Sequence, residues 1–460
     1  MELVERVVEA LLDFGAGVFL PVVVFLLAIV FGAKIGRALR SALLVGIGFV
    51  GIELVLGLLF DNLSPVVEAL VQRFGFPLRI IDVGWPAAAA IAFGSDIAVL
   101  VIPLGIGLNL VLVLTGITRT MNIDIWNFWH FAFVGALVQV ATGSVWMGLV
   151  SAMLYSAVVL FFADWTAPAV QSLMGMKGIS LPHGFSTPFV VPAMIVNGVI
   201  DRIPGLRDID AHPETISTRF GVIGEPAFQG FVMGGILAGI AYAGVESGSM
   251  WIGDALESAV SLAAVMVLMP RVVSVLMEGL IPLSEAARAF LQRRAGKREI
   301  HIGLDAAIAI GHPATLATSL LMIPITLGLA VVLPGNRVLP FGDLTTIPFM
   351  VALMVPVVRG NVVRATITST IVMIPTLYVM NAIAGFFSQA ARLANFRFPE
   401  GTTTITSLVD GGSWLSWLFV VAAQRFWIGH VLILTALVVA WWRFRLNRQG
   451  WYRIAGAGEG

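Results

Sequence analysis

The chain has 460 residues, of which 58% are hydrophobic and only 12% charged, with a mean hydropathy of +0.95. A soluble domain carries about 25% charged residues, so that class is excluded, and 27 basic residues balanced by 27 acidic ones leave no cationic excess for a nucleic acid. With no cysteine, disulfides, thiolate nucleophiles and thiol-ligated metals are excluded as well.

The first residues carry Glu2, Glu5, Glu9 and Asp13, the wrong charge for the start of a signal peptide. Leu3, Val4, Val7, Val8, Leu11 and Leu12 fall on one helical face, which predicts an amphipathic helix on the membrane surface. Apolar runs then predict eleven spans, at about 14–33, 41–60, 97–117, 127–142, 145–163, 226–244, 257–280, 307–333, 344–358, 365–387 and 427–442. The expected class is an all-α polytopic membrane protein. A full crossing takes about 20 residues, so 127–142 and 344–358 are expected to be tilted, in thinned membrane or partly re-entrant.

The chain also repeats itself. Ala38-Leu39-Arg40-Ser41-Ala42 returns as Ala255-Leu256-Glu257-Ser258-Ala259, Ile102-Pro103 as Ile323-Pro324, Arg119 as Arg337 and Gly143 as Gly360, at an offset that stays between 217 and 221 residues. Charge sets the direction of each half. The first loop holds Lys34, Arg37 and Arg40, whereas its counterpart holds Glu246, Asp254 and Glu257. The next loop of the second half is basic (Arg288, Arg293, Arg294, Lys297, Arg298), and its counterpart mixes Asp61, Glu68, Arg73, Arg79 and Asp82. Since basic loops stay in the cytoplasm, the two five-span repeats are expected to be inverted. The expected layout is repeat one at 12–165, a linker at 166–225, repeat two at 226–388, and a segment at 389–460 with an eleventh span and a basic tail. The N-terminus is then outside and the C-terminus cytoplasmic.

Inverted repeats place a solute site near the midplane, lined by broken helices. Two interrupted, Gly/Ala-rich segments stand in equivalent places, "IDVGWPAAAAIAFGSD" (81–96) and "IHIGLDAAIAIGHPAT" (300–315), and read as re-entrant hairpins. A second pair, "MNIDIWNFWH" (121–130) and "VLPFGDLTTIP" (338–348), opens the short spans. An ionisable group in hydrocarbon is costly and marks a site. Such donors and acceptors suit a neutral polyhydroxylated solute, each hydroxyl of which needs partners once desolvated. The candidate substrate-binding residues are Asp82, Trp85, Asn127, His130, His183, Glu225, Asp305, His312 and Asp343. Asp82, Asp305 and Glu225 are equally readable as helix caps, and Trp126 and Trp129 as an interfacial belt. No histidine spacing resembles a zinc motif, so no metal, cofactor or catalytic residue is expected. Glu53 and Asp96 leave open an ion-coupled secondary transporter on the same plan.

The motifs "GIGFVGI" (46–52), "DVGWP" (82–86), "DIWNFWH" (124–130), "ATGS" (141–144), "LPHG" (181–184), "GEP" (224–226), "LMPRV" (268–272), "IGLD" (302–305), "VLPGNRVLPFGDL" (332–344) and "DGGS" (410–413) resemble, in collinear order, the galactitol-type enzyme IIC of the bacterial sugar phosphotransferase system (PTS). The resemblance implies an inner-membrane homodimer related to the ascorbate-type permeases. Each protomer would have a V-shaped scaffold domain and a core that carries substrate by an elevator-like step. It also implies a hexitol substrate, galactitol by default. The hexitol would be phosphorylated on the cytoplasmic side by a separate IIB protein recharged by IIA, with phosphoenolpyruvate as ultimate donor. Residues 388–409 take no assignment.

Overall fold

The computed structural model describes residues 16–74, 80–124, 128–213, 226–243, 250–294, 299–340, 342–398, 403–425 and 427–458. The expected amphipathic helix at the N-terminus lies outside the described residues. The chain is predominantly helical, and five of the described helices are long and apolar enough to cross a bilayer: Val145–Met174, Trp251–Leu268 (within a longer helix), Pro313–Val332, Val362–Leu393 and Trp427–Leu446.

One group of helices packs together. It comprises α1 (Ala16–Val30), α2 (Ile35–Phe74), α8 (Pro226–Tyr242) and α9 (Met250–Arg294). Without a hydrophobic drive between helices in lipid, contact relies on small residues and interhelical hydrogen bonds. The Ser41 hydroxyl donates to the Gly279 carbonyl across α2 and α9, and a Cβ on Gly279 would stand 2.7 Å from the Val45 nitrogen.

The second group holds the interrupted elements. In the first half these are α3 (Gly84–Phe93), α4 (Ala98–Thr115), α5 (Trp129–Thr142), α6 (Val145–Met174) and α7 (Val190–Ile200). Later in the chain they are α10 (Ala307–Ile310), α11 (Pro313–Val332), α12 (Ile347–Val351), α13 (Met354–Val357), α14 (Val362–Leu393) and α15 (Trp414–Ala423). Helices α16 (Trp427–Leu446) and α17 (Arg448–Ile454) close the chain. The expected span at 344–358 is broken into a 3₁₀ turn, α12 and α13, because Pro348 and Pro356 remove backbone donors along it. "ATGS" is a helix junction. Gly143 takes a left-handed φ of 69° to end α5, and the Ser144 hydroxyl caps α6 by accepting from the Met147 nitrogen at 3.3 Å. Gly360 (φ 80°) and the cap Asn361, whose side chain accepts from the Arg364 nitrogen at 3.0 Å, do the same before α14.

The chain is predominantly helical, as expected, and the structure adds short strands that the sequence reading did not place. Six short strands form two three-stranded parallel sheets: β1 (Ile80–Asp82), β2 (Thr120–Asn122), β3 (Ile179–Ser180), β4 (His301–Gly303), β5 (Val338–Leu339) and β6 (Ile405–Thr406). Extended backbone inside an apolar protein must bond to something, and these runs bond to one another. The first sheet has the order β5-β1-β6 and the second β2-β4-β3. The registers correspond pair for pair. Ile80 faces Val338 as His301 faces Thr120, Ile81 faces Ile405 as Ile302 faces Ile179, and Asp82 faces Thr406 as Gly303 faces Ser180. In each sheet the central strand comes from one part of the chain and its two neighbours from the other, so segments far apart in sequence meet in one region.

Candidate functional site

The first part of that region is tied by two carboxylates. Asp82 ends β1. Its Oδ1 accepts from the Gly84 nitrogen at 3.1 Å, which starts α3, and its Oδ2 accepts from the Asp343 nitrogen at 2.9 Å. Asp343 is wholly buried. Its Oδ1 accepts from the Trp85 nitrogen at 2.7 Å, and its Oδ2 accepts from the Val409 nitrogen at 3.1 Å and from the Ser407 hydroxyl. The Asp343 carbonyl accepts from both the nitrogen and the hydroxyl of Thr346. Three segments distant in sequence thus converge on one side chain, and both of its oxygens are engaged.

One residue beyond Val409 lies Asp410, and the second part begins there. Its Oδ2 is 2.7 Å from His130 Nδ1, in the first turn of α5. A carboxylate only accepts, so Nδ1 carries the proton. Asp410 is wholly buried, sits at a left-handed φ of 63°, and its Oδ1 has no hydrogen-bond partner among the described residues. His183 lies beside His130, ring centroids 4.7 Å apart and edge to face. Its Nδ1 accepts from the Ser186 nitrogen at 3.2 Å, which leaves the proton on Nε2. Ser186 in turn donates its hydroxyl to the Phe349 carbonyl at 2.6 Å. His183 Nε2 faces Asp305 Oδ1 at 3.8 Å, beyond hydrogen-bond reach. Trp129 stacks on His130 at 3.8 Å and Phe349 on His183 at 5.7 Å. The close approach explains the glycine of "LPHG": a Cβ on Gly184 would lie 2.4 Å from His130 Cβ. Its carbonyl accepts from the buried Tyr155 hydroxyl at 2.8 Å.

Of the nine residues nominated from sequence, six fall on this continuous path: Asp82, Trp85 and Asp343 on one side, His130, His183 and Asp305 on the other. The segment Ser407–Asp410 joins the two sides. Asp305 also supports its own hairpin, Oδ1 accepting from the Ala307 nitrogen at 2.7 Å where α10 begins, as Asp82 does before α3. His312 is not brought onto the path by any bond described. Its Nδ1 accepts from the Ala314 nitrogen at 3.2 Å and caps α11. Asn127 and Glu225 lie outside the described residues, as do Trp126 and the side chain of Glu53.

Asp410, Ser186 and Asp164 are among the buried polar residues that the sequence reading did not nominate. Asp410 was quoted only as part of "DGGS"; an aspartate before two glycines, closing a stretch with no assigned span, was the available signal. Ser186 carried none. Asp164, buried within α6, accepts from the Thr118 hydroxyl (2.8 Å), the Arg119 nitrogen (2.9 Å) and the Thr120 hydroxyl (2.7 Å), and so fixes the turn that feeds β2.

Residues 10–401 match the EIIC-GAT family, described as the sugar-specific permease component of the PTS system. The chain is 40% identical over 448 residues to the PTS system galactitol-specific EIIC component of Escherichia coli (strain K12), covering 96% of this chain and 97% of the relative. The same figures hold for the protein of that name in Escherichia coli O157:H7. A putative permease IIC component of Escherichia coli (strain K12) is 36% identical over 406 residues, 88% of this chain and 91% of that protein.

Proposed function

The chain belongs to the family of PTS system sugar-specific permease components, and from that membership we propose that it binds a polyol, galactitol in the first instance, and carries it across the inner membrane to a separate IIB protein that phosphorylates it. The observation that carries the site is Asp410 Oδ1. A buried carboxylate oxygen without a donor costs roughly 1–3 kcal/mol or more, and a substrate hydroxyl supplies that donor. A second hydroxyl near the 3.8 Å gap between His183 Nε2 and Asp305 Oδ1 accepts from the imidazole and donates to the carboxylate, the paired demand every hydroxyl makes. His130 is held by Asp410 so that Nε2 remains an acceptor. In this reading Asp82 and Asp343, whose oxygens are occupied by backbone donors, position the site, and Trp85 and Trp129 offer flat faces to the carbon chain.

The proposal includes eleven spans in two inverted halves, a homodimer, and an elevator-like step of the interrupted group against α1, α2, α8 and α9. The support for the halves is the exchange of β1 with β4, β2 with β5 and β3 with β6 between the two sheets, register included. That correspondence extends repeat one through α7 and repeat two through α15, so the proposed linker shortens to about 201–225. The N-terminus outside, the C-terminus inside and IIB docking near 288–298 follow from the positive-inside bias. Asp96, an acid nominated for ion coupling, is exposed and accepts from Gln139 Nε2 at 2.9 Å.

Uptake into sealed vesicles supplied with the cognate IIA and IIB tests the function. Accumulated label is expected to be polyol phosphate and to require phosphoenolpyruvate. Accumulation of unmodified polyol driven by a proton gradient, with no IIB present, would refute it.

A further inference from the structure

A second concavity lies away from the polar path, between α4, α6 and α16. It measures about 680 Å³ and is walled by side chains such as Leu108, Leu112, Met153, Leu160, Leu434 and Val438. Two hydrogen bonds pin helix α16 to the rest of the fold. Near its start His430 Nε2 lies 2.6 Å from the Ser151 hydroxyl. Near its end Trp441 Nε1 donates to the Ile117 carbonyl at 2.8 Å. From His430 to Trp441 the helix rises about 16 Å, close to one leaflet of a roughly 30 Å hydrocarbon core. The apolar wall between the pins stays unfilled by protein: Val431, Leu434 and Val438 are each about half exposed.

The end at Trp441 and Ile117 is basic. Arg445 sits over the Trp441 ring at 4.9 Å and Arg448 over Phe444 at 5.7 Å. Arg119, two residues after Ile117, pairs at 3.1 Å with the exposed Glu299. Helix α17 folds back on α6, with Trp165 Nε1 donating to the Trp451 carbonyl at 2.6 Å, and Arg445 and Arg119 adjoin two residues that line the groove, Trp441 and Thr118. Burial, then the like charges of Arg119 and Arg445, lower the Arg448 guanidinium from its ordinary value. A cluster of cations that repel one another wants an anion. The carboxylate that lines this end, Asp164, is already engaged by Thr118, Arg119 and Thr120.

We propose that this groove seats one acyl chain of an anionic phospholipid from the cytoplasmic leaflet, its phosphate held by Arg445 and Arg448 beside the Arg119–Glu299 pair. Charge complementarity and the single-leaflet length select this occupant over a soluble partner: IIB would use the arginines but has no use for an apolar trough sunk to membrane depth. Bound lipid fills the space between α16 and the α4–α6 pair and so braces α16 against the interrupted group.

The test is native mass spectrometry of the purified full-length protein in mild detergent, titrated with phosphatidylglycerol or with phosphatidylcholine of the same chains. Preferential retention of phosphatidylglycerol is expected. Arg445→Gln with Arg448→Gln should weaken it about thirtyfold, near fivefold for each charge, and bring it to the level of phosphatidylcholine. Val431→Trp, on an exposed face, should fill the trough and weaken both lipids; Ala157→Phe does the same from α6 if the first variant does not fold. Equal retention of the two lipids, or no response to either filling variant, would overturn the proposal. So would inorganic phosphate binding as tightly as the lipid. The remaining adverse outcome is an arginine variant that keeps its lipid yet loses IIB-dependent phosphorylation, which would give the arginines to IIB.

Discussion

Asp410→Asn is expected to weaken galactitol binding about 10- to 100-fold and to leave the protein folded. The asparagine carbonyl still accepts from His130 Nδ1, and asparagine tolerates the left-handed φ of 63° as aspartate does. What changes is the other end: an acceptor becomes an NH₂ donor that meets the donor hydrogen of a hydroxyl. Hydrogen bonds to a charged group are worth roughly 1.5–3 kcal/mol, and each 1.4 kcal/mol is tenfold. Equilibrium binding of labelled galactitol to purified protein, read beside thermal unfolding, gives both quantities. Full affinity in a folded variant would mean that the solute is held elsewhere.

Asp343→Ala is expected to act on the fold. It strips partners from the Trp85 and Val409 nitrogens and the Ser407 hydroxyl at once, in a place where water does not reach. Breaking such a buried charged network costs roughly 3–5 kcal/mol. Yield and melting temperature in detergent should both fall steeply. Asp343→Asn retains one acceptor oxygen and turns an NH₂ toward the donors on the other side, so it should fall between. An Asp343→Ala protein that melts like the parent but no longer binds polyol would make this carboxylate a ligand instead of a knot.

The difference between these two aspartates was not legible in the sequence, where Asp343 stood out and Asp410 did not. Long apolar elements were legible, because hydropathy over 20 or 30 residues is a strong signal: the runs at 145–163, 307–333 and 365–387 are the cores of α6, α11 and α14. The interrupted segments at 81–96 and 300–315 were legible from glycine and alanine content. Strands of two or three residues were not. Ile80 pairs with Val338 and Thr120 with His301, partners 258 and 181 residues apart with no periodic pattern to announce them. Helices α7 and α15, of 11 and 10 residues, are too short to read as spans from hydropathy. His312, proposed from sequence as a solute ligand, precedes Pro313, the sequence sign of a helix start, and its Nδ1 is spent on that cap.

Two halves of one chain that thread the membrane in opposite senses and interlock through the two small sheets would bring Asp410, His130 and His183 together. The absence of cysteine makes that arrangement directly measurable. Single cysteines at Ile35, which opens α2, and at Met250, which opens α9, should react from opposite faces of intact cells with a membrane-impermeant maleimide. Position 250 is expected to label from outside and position 35 only after the membrane is opened. Labelling of both from the same face would contradict the inverted plan and remove the basis for the site built on it.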